Sequence, residues 1–215
     1  MDIELQNISL SFSDKKVIQN LSFKFESGYF YLIKGPSGCG KSTLLRVLSK
    51  LVQLDAGKVN YEEALPVTEL RRKIHLLTQL PMMFEGSVED NILMPFTISP
   101  FNESLPEKGK YQPFVDKLFP EGLDLTQNAQ SLSQGQKQRV ALCRTLLINP
   151  DVLLCDEPAA SLDAKSREIV DASIEDFYKS SKGKMVIYIS HHDELYVNCS
   201  VTKLNMEAGK LEVAQ

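Results

Sequence analysis

The sequence has few cysteines, no excess of positive charge and no long apolar run. No stretch approaches the ~18 consecutive apolar residues of a membrane-spanning helix, so nothing in it predicts a bilayer span. The four cysteines show neither the paired spacing of metal ligands nor a disulfide framework, which predicts small buried side chains in a reducing compartment. Because the net charge is −4, we expect no nucleic-acid partner.

The size and composition of the chain narrow its class further. The first residues, Met1-Asp2-Ile3-Glu4, carry acids where a secretory signal needs a basic end and an apolar stretch, so we expect a cytoplasmic protein. Apolar residues make up 43% and charged residues 24% of the chain, which argues against disorder and fibrous repeats. The 215 residues predict one large domain or a core with an insertion.

Short apolar segments alternate with segments of helical periodicity along the chain. Residues 3–12 and 21–25 predict strands with one solvated face, and residues 29–33 predict a buried strand. Buried strands that alternate with helices are typical of a mainly parallel α/β sheet. The remaining predicted elements are a helix over residues 41–51, a helix over 134–147, a strand over 152–155, a helix over 164–180, a strand over 185–190 and a hairpin near 207–210.

The middle of the chain departs from this alternation. Six of the ten prolines lie between residues 80 and 120, where they interrupt any continuing pattern of strand and helix. We therefore expect residues 80–148 to form a mostly helical subdomain. It would be inserted into a single domain whose core consists of residues 1–79 and 149–215.

The segment between the strand at 29–33 and the helix at 41–51 matches G-x-x-x-x-G-K-[S/T], the phosphate-binding P-loop. Its glycines allow a tight turn and a close approach of backbone N–H groups to an anion. Lys41 would reach the terminal phosphates of a nucleotide, and the Ser42 hydroxyl would bind Mg²⁺. The predicted phosphate-binding residues are Gly35, Pro36, Ser37, Gly38, Cys39, Gly40, Lys41, Ser42 and Thr43.

Two adjacent acids, Asp156 and Glu157, end the apolar strand predicted over residues 152–155. Taken alone, they fit equally well a strand that ends in solvated carboxylates. With a P-loop in the same chain, Asp156 is expected to hold Mg²⁺, directly or through water. Glu157 is expected to act as the general base that polarises the attacking water.

The segment Leu132-Ser133-Gln134-Gly135-Gln136 resembles the signature of the ATP-binding cassette (ABC) ATPases, usually L-S-G-G-Q. Gln134 departs from that pattern at one glycine. The resemblance implies a P-loop NTPase core of the RecA-like type, with antiparallel N-terminal strands beside a mainly parallel sheet. It also implies that Ser133, Gly135 and Gln136 act on the ATP bound to a second copy of the chain, in a head-to-tail dimer.

Further matches to this family extend the resemblance from Phe12 to His191. Gln79 resembles the Q-loop glutamine, which senses Mg²⁺ and the attacking water, and Asp163 belongs to a D-loop that contacts the other subunit. His191 resembles the switch histidine that contacts the γ-phosphate, although His192 is the alternative. Phe12 stands where the family carries an aromatic ring that stacks on adenine, or else it is a core residue.

The family couples ATP hydrolysis to transport through other subunits, which here must be separate integral membrane proteins. The chain would then be cytoplasmic and peripheral to the inner face of the membrane. The segment 81–92 lies where such subunits dock, and Met82, Met83 and Phe84 are either an exposed apolar contact or ordinary core. The segment resembles exporter-type domains, and the compact chain resembles small stand-alone ATPases of metal (iron) export.

Two functions outside transport are alternatives. One is a soluble ABC ATPase that serves as an assembly scaffold, for instance for iron–sulfur clusters. The other is a DNA-repair or chromosome ATPase. The second is disfavoured by the acidic composition and by the absence of a heptad run that would form a coiled coil.

Overall fold

The chain folds into two β-sheets with helices packed against them. A computed structural model describes residues 1–13, 15–98, 105–191 and 195–214. The strands in these ranges are β1 (Ile3–Phe12), β2 (Lys15–Phe25), β3 (Phe30–Lys34), β4 (Ala56–Tyr61), β5 (Ile74–Leu77), β6 (Val152–Asp156), β7 (Met185–Ile189), β8 (Thr202–Glu207) and β9 (Lys210–Val213). The helices are α1 (Lys41–Leu48), α2 (Val67–Lys73), α3 (Val88–Leu93), α4 (Lys108–Leu118), α5 (Gln134–Ile148) and α6 (Ala164–Lys179), with 3-10 helices at Met94–Thr97 and Ala129–Ser131.

The larger sheet has the strand order β5-β6-β7-β3-β8-β9 within the described ranges. Its strands pair in parallel except for the antiparallel hairpin of β8 and β9. The smaller sheet is antiparallel, with the order β2-β1-β4. The predicted fold class, a mainly parallel sheet with antiparallel N-terminal strands, is confirmed.

The alternation of side chains along the central strands divides the core into two layers. Leu153 and Cys155 of β6 pack with α3, α4, α5 and α6 on one face of the sheet. Val152 and Leu154 of the same strand pack with α1 and the smaller sheet on the other face. Since successive residues of a strand point to opposite faces, a sheet covered on both sides needs strands that are apolar throughout.

Residues 80–148 contain α3, α4, α5 and both 3-10 helices. The described part of this segment has no strand, only an isolated bridge between Ser87 and Asn128. Its buried side chains, such as Val115 and Val140, belong to the same apolar cluster as Leu153 of the central sheet. The segment therefore does not have a core of its own, and its separation as a subdomain at 80 and 148 stays a prediction.

Some elements differ from those predicted. The helix predicted over 41–51 ends at Leu48, because Lys50 adopts a left-handed backbone conformation (φ 56°) and leaves Leu51 half exposed. Strand β4 and helix α2 had no clear signal: β4 contains Gly57, and α2 buries only Leu70.

All four cysteines are free thiols, as predicted. Cys143 and Cys155 are buried, which is also as predicted. Cys39 and Cys199 are only partly buried, so the prediction that the cysteines are buried core residues is wrong for these two. Cys39 lies in the loop between β3 and α1, where the backbone turns close to the surface.

Candidate nucleotide-binding site

The predicted P-loop connects the end of β3 to the start of α1 and lies directly on β8. Gly35 has φ +149°, and a Cβ atom at this position would lie 2.1 Å from the carbonyl oxygen of Met206. Only glycine allows this approach, because 2.1 Å is far inside the contact distance of carbon and oxygen. The loop is therefore held against the sheet by its own backbone.

Lys41 is the first residue of α1 and is 5% exposed. Its Nζ donates hydrogen bonds to the carbonyl oxygens of Gly35 (2.8 Å) and Pro36 (3.0 Å). The loop thus surrounds a positive charge, at a helix N-terminus whose first N–H groups also favour anions. This arrangement is suited to a phosphate group.

The Ser42 hydroxyl donates a hydrogen bond of 2.8 Å to Oδ1 of Asp156, at the end of β6. Asp156 is 6% exposed. Burial raises the pKa of its carboxyl above the usual value, the hydrogen bond from Ser42 acts against that shift, and the charge of Glu157 adds to it. A nearby cation would counter the cost of burying this charge.

The pair of Ser42 and Asp156 fits Mg²⁺, which prefers oxygen ligands and usually keeps waters and phosphate oxygens in its shell. Within the part of the chain that the structure describes, no group of three or more His, Cys, Asp and Glu side chains forms a metal site. A cation here would therefore draw its remaining ligands from nucleotide and water. This is the pattern expected for a metal that arrives with a nucleotide.

Glu157 is contacted on both carboxylate oxygens, by the predicted Q-loop glutamine and by the predicted switch histidine. Gln79 Nε2 donates to Oε2 (3.1 Å), and His191 Nε2 lies 2.7 Å from Oε1. The Glu157 side chain is 15% exposed, and its backbone has φ 50°, in the left-handed region that a glutamate seldom adopts. The structure thus brings together three residues that are far apart in the sequence. His192, the alternative, lies outside the described residues.

The signature segment begins helix α5. Ser133 is its N-cap: the Oγ atom accepts from the N–H of Gln136 (3.2 Å), and Gln136 Oε1 accepts from the N–H of Ser133 (2.9 Å). This is a capping box, which the spacing S-x-x-Q also indicates in the sequence. The Ser133 hydroxyl accepts in this bond and so keeps its own hydrogen for a ligand.

The signature helix touches the predicted D-loop of the same chain. A Cβ atom on Gly135 would lie 3.0 Å from Cδ2 of Leu162. Asp163, next in the chain, caps α6 by accepting from the N–H of Ser166 (3.0 Å). Gln138, which sequence reasoning missed, donates to the carbonyl oxygen of Thr78 (3.3 Å) and so joins α5 to the residue before Gln79.

Phe12 is 49% exposed at the end of β1, opposite Lys15 of β2. The alternative that Phe12 is a core residue is therefore wrong. Val17, two residues after Lys15 on β2, lies close to the P-loop: a Cβ atom added to Gly40 would be 3.0 Å from the Val17 carbonyl oxygen. The β1–β2 hairpin thus borders the P-loop and presents an aromatic ring to solvent there.

The segment after Gln79 exposes several apolar side chains. Leu80 is 72%, Met82 71% and Phe84 41% exposed, while Met83 packs against the core. The core alternative is thus wrong for Met82 and Phe84 and right for Met83.

Contacts of Arg144 and Asn91, which the sequence did not reveal, connect this segment to α5. The Arg144 guanidinium lies 5.4 Å from the ring centroid of Phe84 and donates through Nε to the carbonyl oxygen of Asn91 (2.8 Å). Asn91 is 1% exposed, and its amide group exchanges hydrogen bonds with the backbone of Phe84. The exposed segment is therefore held in one shape by the helix that begins at the signature.

A family model described as "ABC transporter" matches residues 18–160, which include the P-loop, the signature and the acid pair. The chain belongs to the ABC transporter family. The predicted resemblance to ABC ATPases is thereby confirmed, and so are nucleotide binding and ATP hydrolysis as the activity. Within the described ranges, no helix is long and apolar enough to cross a membrane.

Relatives of this ABC protein differ in how much of their length it covers. It is 31% identical to the probable iron export ATP-binding protein FetA of Escherichia coli K12, over 99% of this chain and 95% of that protein. It is 33% identical to the spermidine/putrescine import ATP-binding protein PotA of Chromobacterium violaceum, over 98% of this chain but 58% of that protein. Both relatives are named for transport, so the scaffold and DNA-repair alternatives are not favoured.

A solved structure of a bacterial Atm1-family ABC exporter with ATP bound shares the fold of this ABC protein. The TM-score is 0.85 at 23% identity, and the match covers all of this chain and 38% of that one. The comparison therefore extends the shared fold to both ends of the chain, beyond the span that the family model matches.

Proposed function

We propose that the chain is the ATP-hydrolysing subunit of an iron exporter, which dimerises around two Mg-ATP and drives separate membrane subunits. The proposal of iron as the substrate rests on the near-complete match to FetA. The match covers 95% of the length of FetA, compared with 58% of the length of PotA. The chain is thus similar to a whole subunit of that kind, while it matches only part of the import protein.

The phosphate-binding part of the proposed site consists of the P-loop, Lys41, Ser42 and Asp156. The loop N–H groups and the Lys41 ammonium hold the phosphates. Ser42 and Asp156, already bonded to each other, hold Mg²⁺ together with Gln79. When bound, this ion neutralises charge on the phosphate oxygens. The contact of Gln79 with Glu157 then joins the metal-binding residues to the catalytic base.

The hydrolytic step is assigned to the carboxylate of Glu157. Its oxygens take a proton from the attacking water, a role worth about 10²–10⁴ in rate. His191, 2.7 Å from the same carboxylate, steadies the γ-phosphate as charge develops on it. Phe12 stacks on the adenine, because its exposed ring belongs to the hairpin that borders the P-loop.

The second copy completes each site. Ser133, Gly135 and Gln136 at the start of α5 act on the nucleotide of the partner, and Asp163 contacts the partner. The geometry supports this assignment because the first turn of α5 touches the D-loop. A partner that contacts one of these segments would thus meet the other as well.

The membrane subunits dock on the apolar side chains exposed after Gln79. The side chains of Leu80, Met82 and Phe84 offer an adaptable apolar contact. The contacts of Arg144 and Asn91 hold the backbone of this segment in place. The chain would in this way be peripheral to the inner face of the membrane. We expect no nucleic-acid partner, since the net charge is −4.

Copurification in detergent tests the membrane partner, and ATPase assays of the resulting complex in vesicles test the cargo. We expect an integral membrane protein to copurify and Fe²⁺ to stimulate ATP hydrolysis by the complex, while spermidine and sulfate leave it unchanged. Met82→Ser should abolish copurification without lowering the ATPase activity of the isolated chain, whereas Leu105→Ser, a similarly exposed side chain before α4, should change neither. Stimulation by spermidine or sulfate would contradict iron export, and repeated recovery with soluble assembly factors alone would contradict transport.

A further inference from the structure

Asp171, a fully buried residue in the middle of α6, binds the chain on both sides of His191. Its Oδ1 accepts a hydrogen bond of 2.7 Å from the hydroxyl of Tyr188, three residues before His191. Its Oδ2 accepts one of 3.1 Å from the backbone N–H of Tyr196, five residues after His191. A single carboxylate therefore joins β7, which leads to the histidine, to the described segment that starts at residue 195.

Tyr188 connects this carboxylate to the catalytic base. It is 2% exposed on β7, and the carbonyl oxygen of its neighbour Ile189 accepts from the N–H of Glu157 (3.2 Å). Burial raises the pKa of the Tyr188 hydroxyl well above its usual value, with the charge of Asp171 adding to the shift, so the hydroxyl stays a donor. The strand that presents His191 thus bonds Glu157 through its backbone and Asp171 through a side chain.

A second buried carboxylate lies one helical turn further along α6. Glu175 is 5% exposed, accepts from the backbone N–H of Asn198 (2.9 Å) and pairs with Lys179 (2.7 Å). Residues four apart lie on one face of a helix, so both carboxylates face the same segment of chain. Buried carboxylates are costly unless they are hydrogen-bonded, so a core that needed only packing would hold apolar residues here.

We propose that Asp171, acting through Tyr188 and the backbone of Tyr196, is a positioning residue that holds His191 against Glu157. The proposal rests on the catalytic role of His191 given above. Nε2 of His191 lies 2.7 Å from Oε1 of Glu157, and a displacement of about 1 Å at such a contact lowers turnover by up to about a hundredfold. The proposed ATP-binding elements of this chain, the P-loop, α1 and Phe12 of β1, are not part of these contacts, so ATP binding is left intact.

Tyr188→Phe is the sharpest test, because it removes one hydroxyl and keeps the buried ring. We expect kcat for ATP hydrolysis to fall about tenfold or more, while KM and the Kd for ATP stay within about twofold. Tyr178→Phe is the matched control, since Tyr178 lies on α6 with Asp171 but its hydroxyl donates to the carbonyl oxygen of Gly28 (2.7 Å), away from His191. This control should leave kcat unchanged. Asp171→Asn should behave as Tyr188→Phe does, and if it fails to fold, Tyr188→Phe decides alone.

A double-mutant cycle separates positioning from a general loss of stability. In a His191→Ala background, Tyr188→Phe should lower kcat no further, because the residue it positions is gone. The positioning role alone would be overturned if Tyr188→Phe lowered kcat by the same factor with and without His191. It would also be overturned if Tyr188→Phe left kcat unchanged while His191→Ala lowered it. Full turnover in His191→Ala would instead contradict the catalytic role of His191, and the positioning role with it.

Discussion

The Ser42 hydroxyl donates to the buried carboxylate of Asp156, joining the phosphate loop to the end of β6 across 114 positions of sequence. The bond holds together the two side chains best placed to bind Mg²⁺. It also favours the charged form of Asp156, against the effect of burial, which raises the pKa of that carboxyl. The loop and the strand are therefore joined at the proposed metal site before any metal binds.

Ser42→Ala should remove the Mg²⁺-dependent part of ATP affinity. It also leaves a buried acceptor without one partner, which costs about 1–3 kcal/mol of stability. Calorimetry of ATP binding with Mg²⁺ and with EDTA measures the first effect, and thermal unfolding the second. Ser42→Thr keeps the hydroxyl and should restore both. An alanine variant whose ATP affinity still rises with Mg²⁺ as in the wild type would contradict the metal-binding role.

Glu157→Gln should keep ATP binding, lose turnover by about 10²–10⁴ and accumulate as a dimer with Mg-ATP. The amide preserves the shape of the side chain that Gln79 and His191 contact but cannot act as a base. Gel filtration with and without Mg-ATP, together with a steady-state ATPase assay, measures the two effects. Glu168→Gln, at an exposed position on α6, is the control and should remain active. A strictly monomeric, fully active Glu157→Gln protein would refute both assignments.

Lys41→Ala should weaken nucleotide binding itself by about tenfold or more. The variant removes the ammonium that bonds the carbonyl oxygens of Gly35 and Pro36, and with it the positive charge within the loop. Calorimetry with ATP measures the change, and Lys203→Ala, an exposed lysine on β8, controls for the loss of one positive charge. Wild-type affinity in Lys41→Ala would exclude the proposed phosphate contact.

Phe12→Ala should weaken ATP binding by about tenfold, since stacking of a base on an aromatic ring is worth about 1–3 kcal/mol. The melting temperature should stay unchanged because the ring is 49% exposed. Phe12→Tyr should bind as the wild type does. Competition by inorganic triphosphate, which has no base, should be the same in all three proteins. An equal loss of ATP and triphosphate affinity would contradict stacking.

The stability of the protein should depend on pH through His75. Removal from water, with a smaller contribution from the charge of Arg144, lowers the pKa of His75 to about 4 from 6.5. Between these values the unfolded chain binds the proton and the folded chain does not. The free energy of unfolding therefore falls as the pH drops from about 6.5 to about 4, by at most about 1.4 kcal/mol per pH unit. This contribution is fully present above pH 6.5.

Denaturant unfolding at several pH values, compared between the wild type and His75→Gln, isolates this contribution. The difference in unfolding free energy between the two proteins should change between pH 6.5 and 4 and be constant above that range. Acidic residues also titrate at low pH, but they are the same in both proteins and cancel in the difference. A difference that does not vary with pH would contradict the lowered pKa.

The site residues that could be predicted are those that belong to a motif of neighbouring residues in the sequence. The P-loop between β3 and α1 can be recognised in the sequence because its three glycines and Lys41 lie within seven consecutive residues. Ser42 meets Asp156, and Glu157 meets Gln79 and His191, as expected where parallel strands end at one edge of a sheet. The resemblance to a family gave each of these residues a role but not its contacts, and the topology explains how they meet.

The residues missed are those whose role depends on distant partners. Asp171 and Glu175 lie four apart on α6, where acids usually mark a solvated face, and their burial is set by Tyr188, Tyr196 and Asn198 on other elements. No periodicity reveals such contacts. The capping box at the start of α5 could have been found, since its S-x-x-Q spacing is local.

The left-handed backbone at Glu157 has a consequence for redesign. Glycine and asparagine adopt φ near +50° with the least strain, and neither can take up a proton as a base. At Glu157 the backbone conformation therefore favours glycine or asparagine, whereas the proposed hydrolytic role needs a carboxylate. A sequence chosen only for the stability of this backbone would replace the proposed catalytic base early and leave a well-folded protein that still binds ATP without consuming it.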